Sequence, residues 1–269
     1  MPQHILSRIA GKLAESRLPW LKNALINYFI KRYAVNLQEA IEPNPFNYHS
    51  FNHFFTRALH PSLRPMVANA NQAVSPADGI ISQYGLITKG SIIQAKNHNY
   101  TAATLLGGNN ALAAHFHQGA FLTIYLAPKD YHRVHMPYEG KLVHMVYVPG
   151  KLFSVNTETA NTIPGLFAIN ERMIAIFETA VGKMAVVMVG AMLVGSIETV
   201  WTGTLTPKTT TVQEWDYNTG IHLQKGDELA RFKLGSTVIV LFEHQAFEWQ
   251  AFVAEQSIRY GQTIGTFTS

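Results

Sequence analysis

The stretch Phe-Lys-Leu-Gly-Ser-Thr-Val-Ile-Val-Leu-Phe, residues 232–242, decides the fold class of this chain. Its second half is a short apolar run rich in β-branched residues, which is typical of a buried β-strand. The small hydroxyl residues Ser236 and Thr237 stand at the entrance of that strand, directly after Gly235. A fully buried strand needs a partner on each side, so other segments of the chain must supply neighbouring strands.

Similar short runs recur from about residue 74 onward, and turn-forming Gly, Pro and Asn residues separate them. These runs are Phe121–Leu126, Leu142–Val148, Met173–Glu178, Ala185–Leu193 and Thr237–Phe242. No alternation of strands with long helices is present, so a parallel sheet is not indicated. We therefore predict an α+β protein with a predominantly antiparallel β core, arranged like a sandwich or a barrel, and an N-terminal helical extension.

The first sixty residues follow a helical pattern. Apolar residues recur at helical spacing between Ile5 and Leu13 and again after Pro19, which predicts two amphipathic helices, and Ser50–Leu59 predicts a short third one. Residues 1–32 carry six basic side chains against one acidic one. Such helices either cap the core or lie on an anionic membrane surface, and periodicity does not separate the two. We predict a membrane-associating region in residues 1–60 and a catalytic domain in residues 61–269.

Composition excludes several classes of protein. The 269 residues are 47% hydrophobic and contain no cysteine, which excludes disulfides, thiolate metal sites and a cysteine nucleophile. Lys and Arg exceed Asp and Glu by only four, too few to indicate a nucleic-acid partner. The longest apolar run, Met184–Gly195, is shorter than the roughly 20 residues of a spanning helix, and the N-terminus lacks the features of a signal peptide. We expect a peripheral protein in a reducing compartment.

The pair Gly235-Ser236 is a candidate site of backbone chemistry. Glycine has no Cβ, so its carbonyl is open to attack by the neighbouring hydroxyl of Ser236. A plain turn ahead of a strand explains the same residues without chemistry. A serine that attacks a carbonyl also needs a base.

Two histidines and one aspartate are candidates to assist Ser236. His132 and His135 lie in a segment bounded by Pro128 and Pro137, which predicts a loop at a strand end. Asp78 stands between a proline and a glycine, as in a tight turn. Each residue also fits an ordinary structural role, but together they supply a nucleophile, a base and a group that orients it.

A zinc-dependent hydrolase is an alternative. His115-Phe116-His117 would place two imidazoles on one face of a strand, as zinc sites require, although no matching His-x-x-x-Asp segment is found. A conventional serine hydrolase is less favoured because no Gly-x-Ser-x-Gly turn surrounds Ser236.

The chain resembles the phosphatidylserine decarboxylases of bacteria from about Phe51 to Phe242. The resemblance depends on a series of short segments in the family's order, of which Leu-Gly-Ser-Thr ahead of an apolar strand is the most specific. The segments are Asp78 and its neighbours, His132–Pro137, Gly150–Asn156, Asn170–Arg172, Val189–Ala191, Gly195–Ile197, Lys225–Glu228 and Leu234–Thr237.

The resemblance implies a proenzyme that cuts itself between Gly235 and Ser236. Residues 1–235 would become a large subunit and residues 236–269 a small one, with Ser236 converted to a pyruvoyl group. His135, oriented by Asp78, would be the base for cleavage, and His132 would serve decarboxylation.

The same resemblance implies that the pyruvoyl group, covalent and derived from Ser236, forms a Schiff base with phosphatidylserine. Carbon dioxide and phosphatidylethanolamine would be released, without metal or soluble coenzyme. The enzyme would act at the cytoplasmic face of the membrane and would form a homodimer. A lipid-binding relative that keeps the fold but is not processed remains the other alternative.

Overall fold

The computed structural model describes residues 10–66, 69–95, 98–191, 196–205, 210–218, 220–233, 236–243, 246–253 and 255–268. Residues 10–14 are helical, and six further α-helices follow them. These are α1 (Pro19–Tyr33), α2 (Phe51–Phe55), α3 (Ala102–Leu105), α4 (Asn110–Ala114), α5 (Thr157–Thr162) and α6 (Leu166–Ile169). Short 3-10 turns occupy Pro45–Asn47 and Pro61–Leu63. The predicted second and third N-terminal helices are therefore confirmed, whereas most of the first lies outside the described residues.

Most of the described chain is β-structure. In chain order the strands are β1 (Gln72–Val74), β2 (Gly79–Leu86), β3 (Ser91–Ala95), β4 (His98–Thr101), β5 (Ala120–Leu126), β6 (Arg133–His135), β7 (Gly140–Val148), β8 (Arg172–Thr179), β9 (Gly182–Val189), β10 (Ile197–Thr199), β11 (Gly203–Thr204), β12 (Gln213–Asp216), β13 (His222–Leu223), β14 (Glu228–Phe232), β15 (Ser236–Phe242), β16 (Phe247–Trp249), β17 (Ser257–Ile258) and β18 (Thr263–Phe267).

The largest sheet has the order β12-β7-β8-β9-β15-β5-β2-β17, and β13 also pairs with β7. A second sheet has the order β11-β10-β14-β6, a third β1-β18-β16, and β3 pairs with β4. Every pairing between these strands is antiparallel, which confirms the predicted antiparallel core. The large sheet is open between β12 and β17, so the barrel-like alternative is wrong. The predicted strand Ala185–Leu193 is observed to end at Val189.

Both faces of the large sheet are buried. Alternate residues of its central strands point to opposite faces, and a core packs on each face. On β15, Val238 and Val240 belong to a core shared with the two smaller sheets, including Val134 and Phe232. Ile239, on the other face, packs in a second core. Two buried faces explain why β15 is a nearly continuous apolar run.

The N-terminal helices have a small aromatic core of their own. Phe29 of α1 packs edge-on against Phe51 and Phe55 of α2, with ring centroids 5.1 and 5.7 Å apart. Phe55 in turn stacks on His132, so α2 joins the helical region to the β domain. Among the described residues, no helix combines the length and the apolar character needed to cross a bilayer.

Candidate active site

Ser236 begins β15 in the middle of the large sheet. Its side chain is completely buried, and its Oγ has no hydrogen-bond partner among the described residues. Ser236 pairs with Leu126 of β5, and the next residue, Thr237, pairs with both Tyr125 and Val189. Leu234 and Gly235 lie outside the described residues. A buried hydroxyl without a partner costs folding free energy, so Ser236 is a candidate for a chemical role.

Backbone pairing relates the position of His132 to that of Ser236. The N–H of Phe232, four residues before Ser236, donates to the carbonyl of His132 at 2.9 Å. Leu126, the register partner of Ser236, is six residues before His132. Ser236 and Val238 are two residues apart on β15, so their side chains point to the same face of the sheet. That face packs in the core that contains Phe232. Ser236 and His132 therefore lie at the same end of the sheet.

His132 is a buried, neutral imidazole. Its ring stacks on Phe55 with centroids 3.9 Å apart, and Nε2 lies 3.4 Å from the carbonyl oxygen of Pro128. Because a carbonyl only accepts, Nε2 carries the hydrogen and Nδ1 keeps a lone pair. Nδ1 is buried and has no partner among the described residues. Burial, followed by the positive charge of Arg57, lowers the pKa of His132 to about 3, so the ring is neutral at pH 7.

His135 occupies a different environment at the end of β6, although a loop was predicted. Its Nδ1 donates to the carbonyl of Gly226 at 2.8 Å, and its Nε2 lies 3.0 Å from the hydroxyl of Tyr131. The carbonyl fixes the tautomer, so Nε2 is the basic atom and Tyr131 donates to it. Burial lowers the pKa of His135, which also keeps its lone pair free of a proton near neutral pH.

Asp78 lies at a bend just before β2. Its carboxylate accepts hydrogen bonds from two atoms of the Arg64 guanidinium and, at 2.9 Å, from the backbone N–H of Tyr260. A Cβ at the following residue, Gly79, would clash with the carbonyl oxygen of Tyr125, so only glycine permits this approach of β2 to β5. Asp78 and His135 share no hydrogen bond among the described residues.

Tyr260 lies between Asp78 and His135. Its ring stacks on the His135 imidazole with centroids 4.1 Å apart, and Tyr131 stacks against the ring of Tyr260 at 5.4 Å. Sequence reasoning missed Arg64, Tyr131 and Tyr260. Tyr131 could have been found from the sequence, because it lies four residues before His135 in the segment between Pro128 and Pro137. No local pattern indicated Tyr260.

Asn170 ties two predicted motif segments together near Ser236. Its Nδ2 donates to the carbonyls of Phe153 and Gly190, both at 2.9 Å, and its Oδ1 accepts from the Phe153 N–H at 3.2 Å. Gly190 follows Val189, which pairs with Thr237. Asn170 is completely buried, so the segment 150–156 is fixed beside the end of the sheet that carries Ser236.

The expected zinc geometry at His115 and His117 is wrong. Both residues follow α4 in a turn rather than lying on a strand. His115 Nδ1 pairs with Glu243 at 2.9 Å, and the described residues contain no group of three or more His, Asp or Glu side chains that would hold a metal ion. Two histidines in a turn point in unrelated directions, whereas alternate residues of a strand share a face.

Comparison with known proteins identifies the family of this chain. A family model described as phosphatidylserine decarboxylase matches residues 51–266. The chain belongs to the phosphatidylserine decarboxylase family. A second family model, described as PSD, matches residues 1–34.

Curated relatives of the decarboxylase family match almost the whole chain. Proteins named phosphatidylserine decarboxylase proenzyme from Pseudomonas putida and Shewanella frigidimarina are each 52% identical, over 98% and 97% of this chain and 94% and 93% of their own lengths. One from Alteromonas mediterranea is 50% identical over 98% of this chain and 83% of its own length. Phosphatidylserine decarboxylases are lyases, and the word proenzyme marks these relatives as precursors.

Proposed function

We propose that this chain is a proenzyme that cuts itself between Gly235 and Ser236 and then decarboxylates phosphatidylserine. The observation that carries the proposal is the buried Ser236 hydroxyl, which has no partner among the described residues and lies at the same end of the sheet as His132. Family membership supports the reaction class, and the names of the relatives support a precursor that is processed.

Self-cleavage begins when Ser236 Oγ attacks the carbonyl carbon of Gly235. The peptide bond is replaced by an ester, and the amine of residue 236 becomes free. Removal of the Cα proton then expels the Gly235 carboxylate and leaves dehydroalanine. Water hydrolyses its imine tautomer to the pyruvoyl group and ammonia, so atoms and electrons balance without an external oxidant. A base is needed to take the proton of Oγ and that of Cα.

His135 is the proposed base for cleavage. Because Nδ1 donates its hydrogen to the carbonyl of Gly226, the lone pair lies on Nε2. The Gly226 carbonyl thus has the role that a carboxylate has in a catalytic triad. Asp78 contributes through its neighbours: it holds the Tyr260 backbone, and the Tyr260 ring packs on the imidazole. Tyr131, which donates to Nε2, is placed to pass a proton between His135 and its surroundings.

The buried environment at the entrance of β15 fits a pyruvoyl group. Residue 236 is enclosed, lies against an apolar core, and its oxygen atom is without a partner among the described residues. The group supplies a carbonyl that accepts the electron pair left when carbon dioxide departs. His132 holds a vacant lone pair at Nδ1, and it is the proposed group that passes a proton to the substrate α-carbon. Because His132 is buried, water does not reach this proton during the transfer.

Residues 1–60 are the proposed membrane-contacting region, and residues 61–269 are the proposed β-rich catalytic domain. Large apolar side chains of residues 1–60 are exposed, with Trp20 at 71%, Tyr28 at 66% and Leu18 at 55%. Basic residues in this region, Arg17 and Lys31 among them, would favour an anionic lipid surface such as the cytoplasmic face of a membrane. A homodimer stays a prediction of the family resemblance.

Intact mass measurement of the purified protein tests the proposal. The expected result is two polypeptides, 1–235 and 236–269, the smaller having a pyruvoyl group at its N-terminus, together with release of carbon dioxide from phosphatidylserine vesicles. An uncut chain with an ordinary serine at 236 that binds vesicles would instead identify a lipid-binding relative without enzymatic activity.

A further inference from the structure

The proposed cut lies where the chain passes from one sheet to another. β14 ends at Phe232 in the four-stranded sheet, and β15 begins at Ser236 in the large sheet. Pairing with β5 fixes the backbone on the Ser236 side of the cut. The attack of Ser236 Oγ on the preceding carbonyl breaks a planar, resonance-stabilised peptide bond. Its rate therefore depends on how the backbone on the other side of that bond is held.

Lys233 is the last described residue before the cut, and both its backbone and its side chain are held. Its N–H donates to the carbonyl of Ser196 at 3.1 Å. Its Nζ lies 3.2 Å from Glu15 Oε1, 3.1 Å from Glu198 Oε2 and 3.0 Å from the hydroxyl oxygen of Thr204. The ammonium thus has one acceptor for each of its three hydrogens. Only 16% of the Lys233 side chain is exposed, so this lysine is fixed in a largely enclosed cluster.

The acceptors of Lys233 come from two parts of the chain that have further contacts of their own. Glu198 lies on β10, which pairs with β14, and its Oε2 also accepts from the Thr204 hydroxyl at 3.1 Å. Glu15 follows the helical residues 10–14 and accepts from Asn52 of α2 at 2.8 Å. Lys233 is therefore bound to the four-stranded sheet and to the helical region at once, two residues before Gly235.

We propose that Lys233 is a positioning residue for self-cleavage, an inference that rests on the proposed function. Its ammonium holds the backbone on the carbonyl side of the cut, and β15 holds the backbone on the hydroxyl side. Only residues 234 and 235 lie between these two held ends, and each contributes just two soft torsions. Few backbone rotations are therefore left that would carry the Gly235 carbonyl away from Ser236 Oγ. This role ends once the bond is cut.

The rate of self-cleavage of newly made protein tests this role. Lys233→Ala should slow cleavage by about 10- to 100-fold, because displacement of a reacting atom by about 1 Å has a cost of that order. Lys233→Arg offers donors to the same acceptors and should cleave within about 3-fold of the wild-type rate. Cleaved Lys233→Ala, once isolated, should decarboxylate phosphatidylserine at the ordinary rate per pyruvoyl group. Cleavage of Lys233→Ala at the wild-type rate, or slow turnover by its cleaved form, would overturn the inference.

Hydroxylamine identifies the step that Lys233 assists. It attacks the ester at the Gly235 carbonyl, which leaves a hydroxamate on the larger polypeptide and an ordinary serine at the start of the smaller one. If Lys233 positions the carbonyl for ester formation, cutting of Lys233→Ala by hydroxylamine should fall in the same proportion as its unassisted cleavage. Rapid cutting by hydroxylamine would show that the ester forms normally and would refute the inference.

Lys183→Ala is the matched control. Lys183 also pairs with a glutamate, Glu178 at 3.5 Å, and its side chain is 24% exposed. Its carbonyl accepts from the N–H of Glu243, at the end of β15 opposite to Ser236, so its loss should change the cleavage rate by less than about 3-fold. Equal slowing by Lys183→Ala and Lys233→Ala would show a general loss of stability and refute a specific role.

Urea unfolding of uncut Ser236→Ala, with and without Lys233→Ala, shows whether the fold is retained. If Lys233→Ala does not fold, Lys233→Gln removes the charge but keeps a hydrogen-bond donor, and the same outcomes decide. Failure of this inference is distinguishable from failure of the proposed function. A wild-type chain that stays uncut refutes the function itself. A wild-type chain that is cut and active, beside Lys233→Ala cut equally fast, refutes the role of Lys233 alone.

Discussion

The ring of Tyr260 lies flat on the imidazole of His135, with centroids 4.1 Å apart and ring planes 6° apart. The same tyrosine donates its backbone N–H to Asp78. Tyr260 belongs to the segment after the proposed cut, whereas His135 and Asp78 precede it. The contact therefore explains how Asp78 can influence His135 without sharing a hydrogen bond with it, and it assigns residues on both sides of the cut to one site.

The hydroxyl of Ser236 is expected to be indispensable for cleavage. Ser236→Ala should give a single uncut chain without decarboxylase activity, because no oxygen remains to attack Gly235. Thr237→Val is the matched control, since Thr237 is equally buried and its hydroxyl also has no partner among the described residues. A denaturing gel should show one band for the first variant and two for the second. Two bands from Ser236→Ala would contradict the mechanism.

The His135 cluster is expected to control the rate of cleavage. His135→Ala should slow it by about 10²- to 10⁴-fold, the usual contribution of a positioned base, and Asp78→Ala should also slow it strongly. Tyr260→Ala should cost on the order of 10- to 100-fold through misplacement of the imidazole, whereas Tyr260→Phe keeps the stacked ring and should cleave nearly normally. Time courses of newly made protein on gels measure these rates. Equal behaviour of the two Tyr260 variants would argue against stacking as the positioning contact.

His132 is expected to act after cleavage. His132→Ala should be cut into two chains while its turnover of phosphatidylserine falls by about 10²- to 10⁴-fold, because the proton carrier at the α-carbon is lost. Gel and activity measurements on one preparation test this division. If both steps were lost in parallel, His132 and His135 would not have separate roles.

The free energy of unfolding is expected to fall in acid because His132 becomes protonated in the unfolded chain. Its pKa is about 3 in the folded protein and 6.5 without burial, so the unfolded chain binds more protons between these values. Below pH 6.5 this one group should remove up to about 1.4 kcal/mol of unfolding free energy per pH unit. Urea unfolding of uncut Ser236→Ala should therefore depend more steeply on pH between 6.5 and 5 than that of Ser236→Ala with His132→Gln. Parallel slopes would show that His132 is not buried in its neutral form.

The sequence was sufficient to predict those features of the fold that local patterns of residues determine. β15 and its neighbours were expected because β-branched runs bounded by glycine form buried strands, and Ser236 does stand at the entrance of one. The pattern His115-x-His117 misled for the opposite reason: the preceding residues Asn110–Ala114 form a helix capped by Asn109, and the strand begins only at Ala120. Whether the sheet closed could not be read from strand number, since closure depends on the pairing of its edges.

The contacts of the site were not predictable from spacing. Asp78 meets Arg64 across 14 residues that include β1, and it meets Tyr260 across 182 residues. His135 finds its acceptor at Gly226, 91 residues away. Such partners are set by how the smaller sheets pack on the large one. The expected orientation of His135 by Asp78 stays a prediction, and in the structure Tyr260 contacts both residues.

The position of β15 decides how a severed chain would behave. Seven residues of that strand pair with β5 on one side and six with β9 on the other, so β15, the first strand of the shorter polypeptide, lies inside the sheet rather than at an edge. A cut ahead of β15 would leave both sets of pairings in place, so they would hold the two polypeptides together. Such an enzyme would be assembled once, from an intact precursor. A molecule whose pyruvoyl group is lost could not replace it by exchanging the shorter polypeptide.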